Sequence, residues 1–207
     1  MAKPYPKEDH LTGNFAPLRM ESNVDDLIIE GNVPKEILGS YYRNGPDPKF
    51  SPRGGKSHWF GGDGMIHAFH INNGKVSYVN RWMRTVKWLK EHEAGEALFP
   101  SGMDPTDTDP SVQGLKTDGL ANTSIVSHAG KILALEEAHA PFEFDPLTLD
   151  SIGSHTFDNK LEGPVTAHPK VDPITGELLF FGYMADGFFS DTIRYTASSK
   201  DGNISKS

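Results

Sequence analysis

Hydrophobic positions in this chain come in short runs broken by glycine-bearing turns. Ile66-His67-Ala68-Phe69-His70-Ile71 leads into Asn72-Asn73-Gly74-Lys75 and returns through Val76-Ser77-Tyr78-Val79. Ser124-Ile125-Val126-Ser127 repeats the pattern through His128-Ala129-Gly130-Lys131 to Ile132-Leu133-Ala134-Leu135. Ile174-Thr175-Gly176-Glu177 precedes another apolar run, and Lys200-Asp201-Gly202-Asn203 opens one more turn. Runs this short, bounded by turn residues, predict antiparallel hairpins. Residues 178–183 are apolar at successive positions, which predicts a strand buried on both faces and sheets stacked between sheets. Only residues 86–98 read as helix, and their mixed charges predict a loop-borne surface helix. The pattern is that of an all-β sandwich or propeller with few short helices, although the spacing matches no WD or kelch period.

Composition narrows the function. With 207 residues the chain can bury one ordinary core, and 21 glycines with 15 prolines favour tight turns over long helices. The formal charge of −8 argues against nucleic-acid binding, which needs a surplus of Lys and Arg. No apolar run reaches the roughly 20 residues of a membrane span. The first ten residues hold no apolar segment of a secretory signal, so a cytoplasmic protein is expected. The absence of cysteine excludes disulfides, thiolate zinc sites and iron–sulfur clusters, which leaves nine histidines and the carboxylates as metal ligands.

Among those histidines, His168 is the one whose presentation the sequence constrains. Pro169 disfavours a helical backbone at the residue before it and fixes the direction in which His168 leaves the chain. The hairpin pattern Asp172-Pro173-Ile174-Thr175-Gly176-Glu177 follows at once. On spacing alone, a hydrogen-bonded structural histidine is the ordinary explanation. His67 and His70 fall on opposite faces of one strand, a poor arrangement for joint metal binding. Asp104-Pro105-Thr106-Asp107-Thr108-Asp109-Pro110 lacks the glycine and closing glutamate of a calcium loop and reads as solvated.

The segments Gly39-Ser40-Tyr41-Tyr42-Arg43-Asn44-Gly45-Pro46-Asp47-Pro48 and His58-Trp59-Phe60-Gly61-Gly62-Asp63-Gly64-Met65-Ile66-His67 resemble the amino-terminal signature of the carotenoid cleavage oxygenases. The resemblance continues through Arg81-Trp82-Met83-Arg84-Thr85, Ala121-Asn122-Thr123-Ser124 and Leu133-Ala134-Leu135-Glu136-Glu137-Ala138 to residues 166–177. It implies the amino-terminal portion of a seven-bladed β-propeller with Fe(II) on its axis, held by four histidines, with outer glutamates hydrogen-bonded to ligand histidines. His168 matches the first metal ligand and Glu137 the first outer glutamate. The implied partners are a lipophilic polyene and O2. The implied reaction is oxidative splitting of a conjugated double bond into carbonyl products, and the resemblance leaves room for peripheral membrane contact in a complete protein.

The resemblance also sets expectations for neighbouring residues. Arg43, Asp63 and Arg81 are expected to lock blades through buried ion pairs and turn hydrogen bonds. Trp59, Phe60 and Trp82 are expected in the core, and Glu136 on the strand face opposite Glu137. The lignostilbene-cleaving branch of the family carries a lysine where Glu136 stands and a tyrosine in the loop of residues 98–103, which has none here. A carboxylate would repel a phenolate, so a carotenoid or apocarotenoid substrate is expected ahead of a stilbene. The hairpin opened at residues 200–203 stops after a few polar residues. Residues 1–207 are therefore expected to be one partial propeller domain lacking the other three ligands, and a catalytically inactive fragment or scaffold is the rival.

Overall fold

The hairpin signals become three four-stranded antiparallel sheets in a computed structural model that describes residues 3–101, 105–187 and 189–206. The first sheet holds β1 (Ser22–Val24), β2 (Gly39–Pro46), β3 (Gly64–Asn72) and β4 (Lys75–Trp82), in the order β1-β4-β3-β2. The second is a meander of β5 (Ser124–His128), β6 (Lys131–Leu135), β7 (Phe142–Phe144) and β8 (Ser151–Ser154). The third is a meander of β9 (Lys170–Val171), β10 (Leu178–Tyr183), β11 (Ile193–Ser198) and β12 (Ile204–Lys206). The β3–β4 hairpin turns at Asn73 and Gly74, with φ of 49° and 80°, the left-handed pair that a two-residue hairpin needs.

One turn recurs between sheets. Asp145 Oδ1 accepts the Leu147 and Thr148 N–H groups at 2.8 Å each, and Asp172 Oδ1 accepts those of Ile174 and Thr175 at 2.8 and 2.9 Å. The Asp-Pro-x-Thr pattern at 145–148 and 172–175 thus makes the same side-chain-stapled turn in the second and third sheets.

Apolar side chains fill the two gaps between successive sheets. Ile66, Ala68, Val79 and Met83 of the first unit pack on Ala134, Phe142, Phe144 and Leu149 of the second. Leu135 and Phe157 pack on Val165, Ala167, Leu178 and Phe180 of the third. This face-to-face succession of four-stranded sheets is the amino-terminal part of a β-propeller. β10 buries Leu178 and Phe180 on one face, while Phe181 stands exposed on the other. Its double-sided hydrophobicity therefore exceeds the burial found within this chain.

Several expectations change. The helix α1 spans Val86–Ala94 and ends where Gly95 turns left-handed at φ 77°, short of residue 98. It is no mere surface helix, since it buries Lys87, Trp88 and Glu91. Lys87 Nζ lies 2.7 Å from both Asp63 Oδ1 and Glu91 Oε2, and Glu91 Oε1 accepts the Leu98 and Phe99 N–H groups at 3.0 Å. Asp63 thus forms the buried ion pair expected of it. Arg43 instead stands exposed, and Arg81 Nη1 donates to the carbonyls of Ser22 and Asn80. Trp82 is buried as expected, but Trp59 and Phe60 are exposed. Their short 3-10 turn is held by its backbone, Asn122 donating to the Phe60 and Gly62 carbonyls, which leaves the rings outside. Among the described residues no helix is long and apolar enough to cross a membrane.

Candidate functional site

His168 is placed by hydrogen bonds that pass from sheet to sheet. The Asn44 side chain on β2 donates to the Ala121 and Ser124 carbonyls at 2.9 and 3.1 Å. The Ser124 hydroxyl, on β5, donates to the Ala167 carbonyl. Beside it, Val165 N–H donates to the His139 carbonyl at 3.1 Å and Thr166 N–H to the Phe181 carbonyl at 2.7 Å. Gly182 makes the close approach to β10 feasible, because a Cβ there would lie 2.0 Å from the Pro164 carbonyl oxygen. The backbone up to residue 167 is therefore clamped on both sides, and His168 projects beyond the clamp ahead of Pro169.

The structure places His168 beside Glu137. His168 Nε2 lies 3.4 Å from Glu137 Oε1, outside the usual hydrogen-bond range, and 66% of the imidazole's surface is open. The Glu137 carboxylate is held from elsewhere. Its Oε2 accepts the Thr166 hydroxyl at 3.3 Å, and that hydroxyl oxygen in turn accepts the His168 N–H at 3.2 Å. Tyr183 faces the same carboxylate, and its pKa is raised by burial first and by the charges of Glu137 and Glu136 next. The carboxylate is thus fixed while the imidazole keeps a ring nitrogen accessible.

A fixed carboxylate beside an accessible imidazole suits a borderline divalent cation such as Fe(II). One imidazole is only part of a coordination sphere. Among the described residues no cluster of three or more His, Cys, Asp or Glu side chains could enclose a metal.

Glu136 does not stand on an opposite strand face. β6 ends at Leu135, so both glutamates lie in the following turn. There Glu136 Oε1 lies 2.5 Å from His139 Nδ1. Burial opposes the charged form of His139, but the Glu136 hydrogen bond and charge, helped by Asp118, prevail and raise its pKa. The two adjacent glutamates therefore serve two different histidines.

The remaining histidines are structural and dispersed. His58 Nδ1 accepts the Phe60 N–H, His67 bonds the Tyr78 hydroxyl at 2.7 Å, and His70 bonds the Ser40 hydroxyl and the Leu147 carbonyl. His128 faces the Ser198 hydroxyl at 3.2 Å. Asp109 is paired with Arg53 at 2.9 Å and caps the turn Pro110–Val112. Residues 102 and 103 of the loop that lacks a tyrosine, and Asp104 of the acidic loop, lie outside the described residues. Sequence reasoning overlooked Thr166, His139 and Tyr183. For Thr166 the signal was its place two residues before His168 and for His139 its place three residues after Glu136, whereas Tyr183 faces Glu137 from the third sheet.

The model of the family described as RPE65: Retinal pigment epithelial membrane protein matches residues 15–207. Isoeugenol monooxygenase of Pseudomonas nitroreducens is 41% identical over 206 residues, 99% of this chain and 42% of that protein. Carotenoid 9,10(9',10')-cleavage dioxygenase 1 of Arabidopsis thaliana is 40% identical over 211 residues, 93% of this chain and 38% of that protein. The crystal structure of Pseudomonas brassicacearum lignostilbene dioxygenase superposes with a TM-score of 0.93 at 37% identity, covering 99% of this chain and 43% of the other. The chain thus spans about two fifths of the length of these relatives.

Proposed function

This chain belongs to the retinal pigment epithelial membrane protein family, whose members include carotenoid- and stilbene-cleaving oxygenases, and we propose that it contributes part of a non-haem Fe(II) centre that splits a conjugated double bond. The observation that carries this reading is the meeting of His168 with a Glu137 carboxylate already held by Thr166. His168 would supply one neutral nitrogen to the metal, and Glu137 would hold the charge and orientation of a ligand imidazole beside it. A bound Fe(II) supplies the one-electron chemistry that O2 needs in order to attack a double bond. The clamp from Asn44 through Ser124 to Ala167 keeps the imidazole at a fixed place, the preorganisation that a metal site requires. Residues 1–207 act, in this reading, as one partial propeller domain, with the other ligands contributed by further blades.

For the substrate, the first choice is a carotenoid or apocarotenoid, with O2 as co-substrate. It rests on Glu136 at the position where the lignostilbene-cleaving branch carries lysine. A second reading, a hydroxystilbene or phenylpropene, is favoured by the isoeugenol and lignostilbene relatives and by the pairing of Glu136 with His139, which engages that carboxylate.

The test uses the complete protein that carries this chain, loaded with iron. His168→Ala is expected to abolish stoichiometric iron by metal analysis. Glu137→Gln is expected to weaken iron retention or activity about 10- to 100-fold. Full iron in both variants would overturn the reading. Steady-state kcat/KM on an apocarotenal against a hydroxystilbene decides between the substrates.

A further inference from the structure

The amino-terminal segment, the loop after β2 and the end of α1 enclose a cavity of about 360 Å³ whose charge runs against that of the chain. Lys3, Arg19 and Lys49 line it, and the one carboxylate among its walls is Glu96, already 2.6 Å from Lys3 Nζ. Among the described residues, no carboxylate lies within ion-pair distance of Arg19 or Lys49. Two cations thus converge without an anion, although the chain as a whole carries a formal charge of −8.

Tyr5 seats both of them. Its hydroxyl donates to the Pro48 and Lys49 carbonyls at 2.7 and 2.8 Å, which fixes the backbone from which Lys49 leaves. Its ring carries the Arg19 guanidinium, 5.5 Å from the centroid. Arg19 stands in the left-handed region at φ 61°, a strained conformation that persists only where its surroundings hold it. Asp47 Oδ2 contributes to that hold by accepting the neighbouring Leu18 N–H at 2.9 Å. The half-buried Lys49 ammonium lies 4.0 Å from the Trp88 ring centroid and 3.0 Å from His92 Nδ1, with the Arg84 guanidinium 3.8 Å from the same centroid. Burial first and the Arg84 charge next lower the Lys49 pKa. A cation held this way gains more from an arriving anion than one in open water does.

We propose that this cavity binds a small aromatic carboxylate, its carboxylate between Arg19 and Lys49 and its ring against Tyr5 and Phe50. The planar guanidinium fork matches two carboxylate oxygens, and Lys49 supplies a point charge beside it. The two aromatic walls set the class of ligand, since they offer a flat apolar surface that an inorganic anion would leave unfilled. A volume near the lower end for ligand pockets suits a single substituted ring. None of these residues takes part in the His168 arrangement, so binding here needs neither the metal nor turnover.

Calorimetry and tryptophan fluorescence on the complete iron-loaded protein carrying this chain test the assignment. The probes are benzoate, its neutral counterpart benzamide, acetate and inorganic phosphate. Benzoate is expected to bind at least tenfold more tightly than the other three, and to weaken as salt is raised. It should also shift indole emission, because the ammonium it engages lies against Trp88. Arg19→Gln and Lys49→Gln should each weaken benzoate about tenfold, the worth of one charge-assisted hydrogen bond. Lys3→Gln should change little, since that ammonium is committed to Glu96. Should Lys49→Gln fail to fold, the exposed Arg19 decides through its own variant. Benzoate that binds no better than benzamide, or that survives both substitutions, overturns the site. Phosphate or acetate binding as tightly as benzoate overturns the aromatic class of ligand. His168→Ala should leave benzoate binding unchanged; loss there, with retention in Arg19→Gln, would put the acid at the metal and overturn the proposal.

Discussion

The charge cluster around Lys87 and the pair around His168 are both built from a cation-forming group and carboxylates, yet they are held in opposite ways. Lys87, Asp63 and Glu91 are buried, joined at 2.7 Å, and Glu91 is further satisfied by two backbone N–H groups. Trp88 on the same helix lies between the Lys49 ammonium, 4.0 Å from its ring centroid, and the Arg84 guanidinium at 3.8 Å. His168 has two thirds of its side chain open and stands 3.4 Å from its carboxylate. A cluster that only joins segments can be sealed, because a low dielectric strengthens satisfied pairs. One that must admit a metal and a substrate keeps an accessible donor, and here the rigidity moves into the backbone beneath it.

Substitutions can break or sharpen that contrast. The largest effect is expected from Lys87→Met, which leaves the Asp63 and Glu91 carboxylates buried without their cation. Loss of one partner of such a group costs about 3–5 kcal/mol, to be read from denaturant unfolding. A change below about 1 kcal/mol would show that the cluster is not sealed.

Gly182→Ala comes next. The added Cβ would meet the Pro164 carbonyl and push the His168 segment off β10. Overpacking of this kind costs about 1–3 kcal/mol. Iron content of the complete protein should fall with it, whereas Lys87→Met, far along the chain, should lower stability before it alters iron content in the folded fraction. Thr166→Val is expected to be milder, about 1 kcal/mol, since it removes the hydroxyl that bridges Glu137 and the His168 N–H. Unchanged unfolding midpoints for either would mean that the clamp is not formed.

The smallest effects are in pH dependence, and there the histidines divide by sign. Burial lowers the pKa values of His67, His128 and His155, with the Arg43 charge adding to this at His67 and the Lys131 charge at His155. The unfolded chain then binds protons that the folded chain refuses. Their stabilisation is full above the ordinary value of 6.5 and falls as the pH drops through the folded values. His139 is raised by Glu136 despite burial, so its contribution is full below 6.5 and is lost as the pH rises through its folded value. Histidine NMR titrations check this directly. A midpoint for His139 at or below that of His67 would contradict the geometry of its pair with Glu136.

The hairpins at residues 72–75 and 128–131 formed where the sequence places them, because the left-handed residues a two-residue turn demands are written locally as Asn73-Gly74 and Ala129-Gly130. His168 stood out for a local reason too, the constraint that Pro169 puts on the residue before it. The turn at 172–175 was read from its sequence, whereas its twin at 145–148 went unread although the same Asp-Pro-x-Thr pattern is written there. By contrast, the strand alternation expected of Glu136 and Glu137 failed because the end of β6 is set by its pairing with β5 and β7, which reaches no further than Leu135. The exposure of Trp59 and Phe60 was not visible either, since two carbonyls held by a distant Asn122 decide which way their turn faces. Local backbone preferences travel with the sequence. Glu136 accordingly found its partner three residues along its own turn. The surroundings of Glu137 and Tyr183, and the openness of His168, were decided only when the second and third sheets came together, because those contacts join residues that are neighbours in space alone.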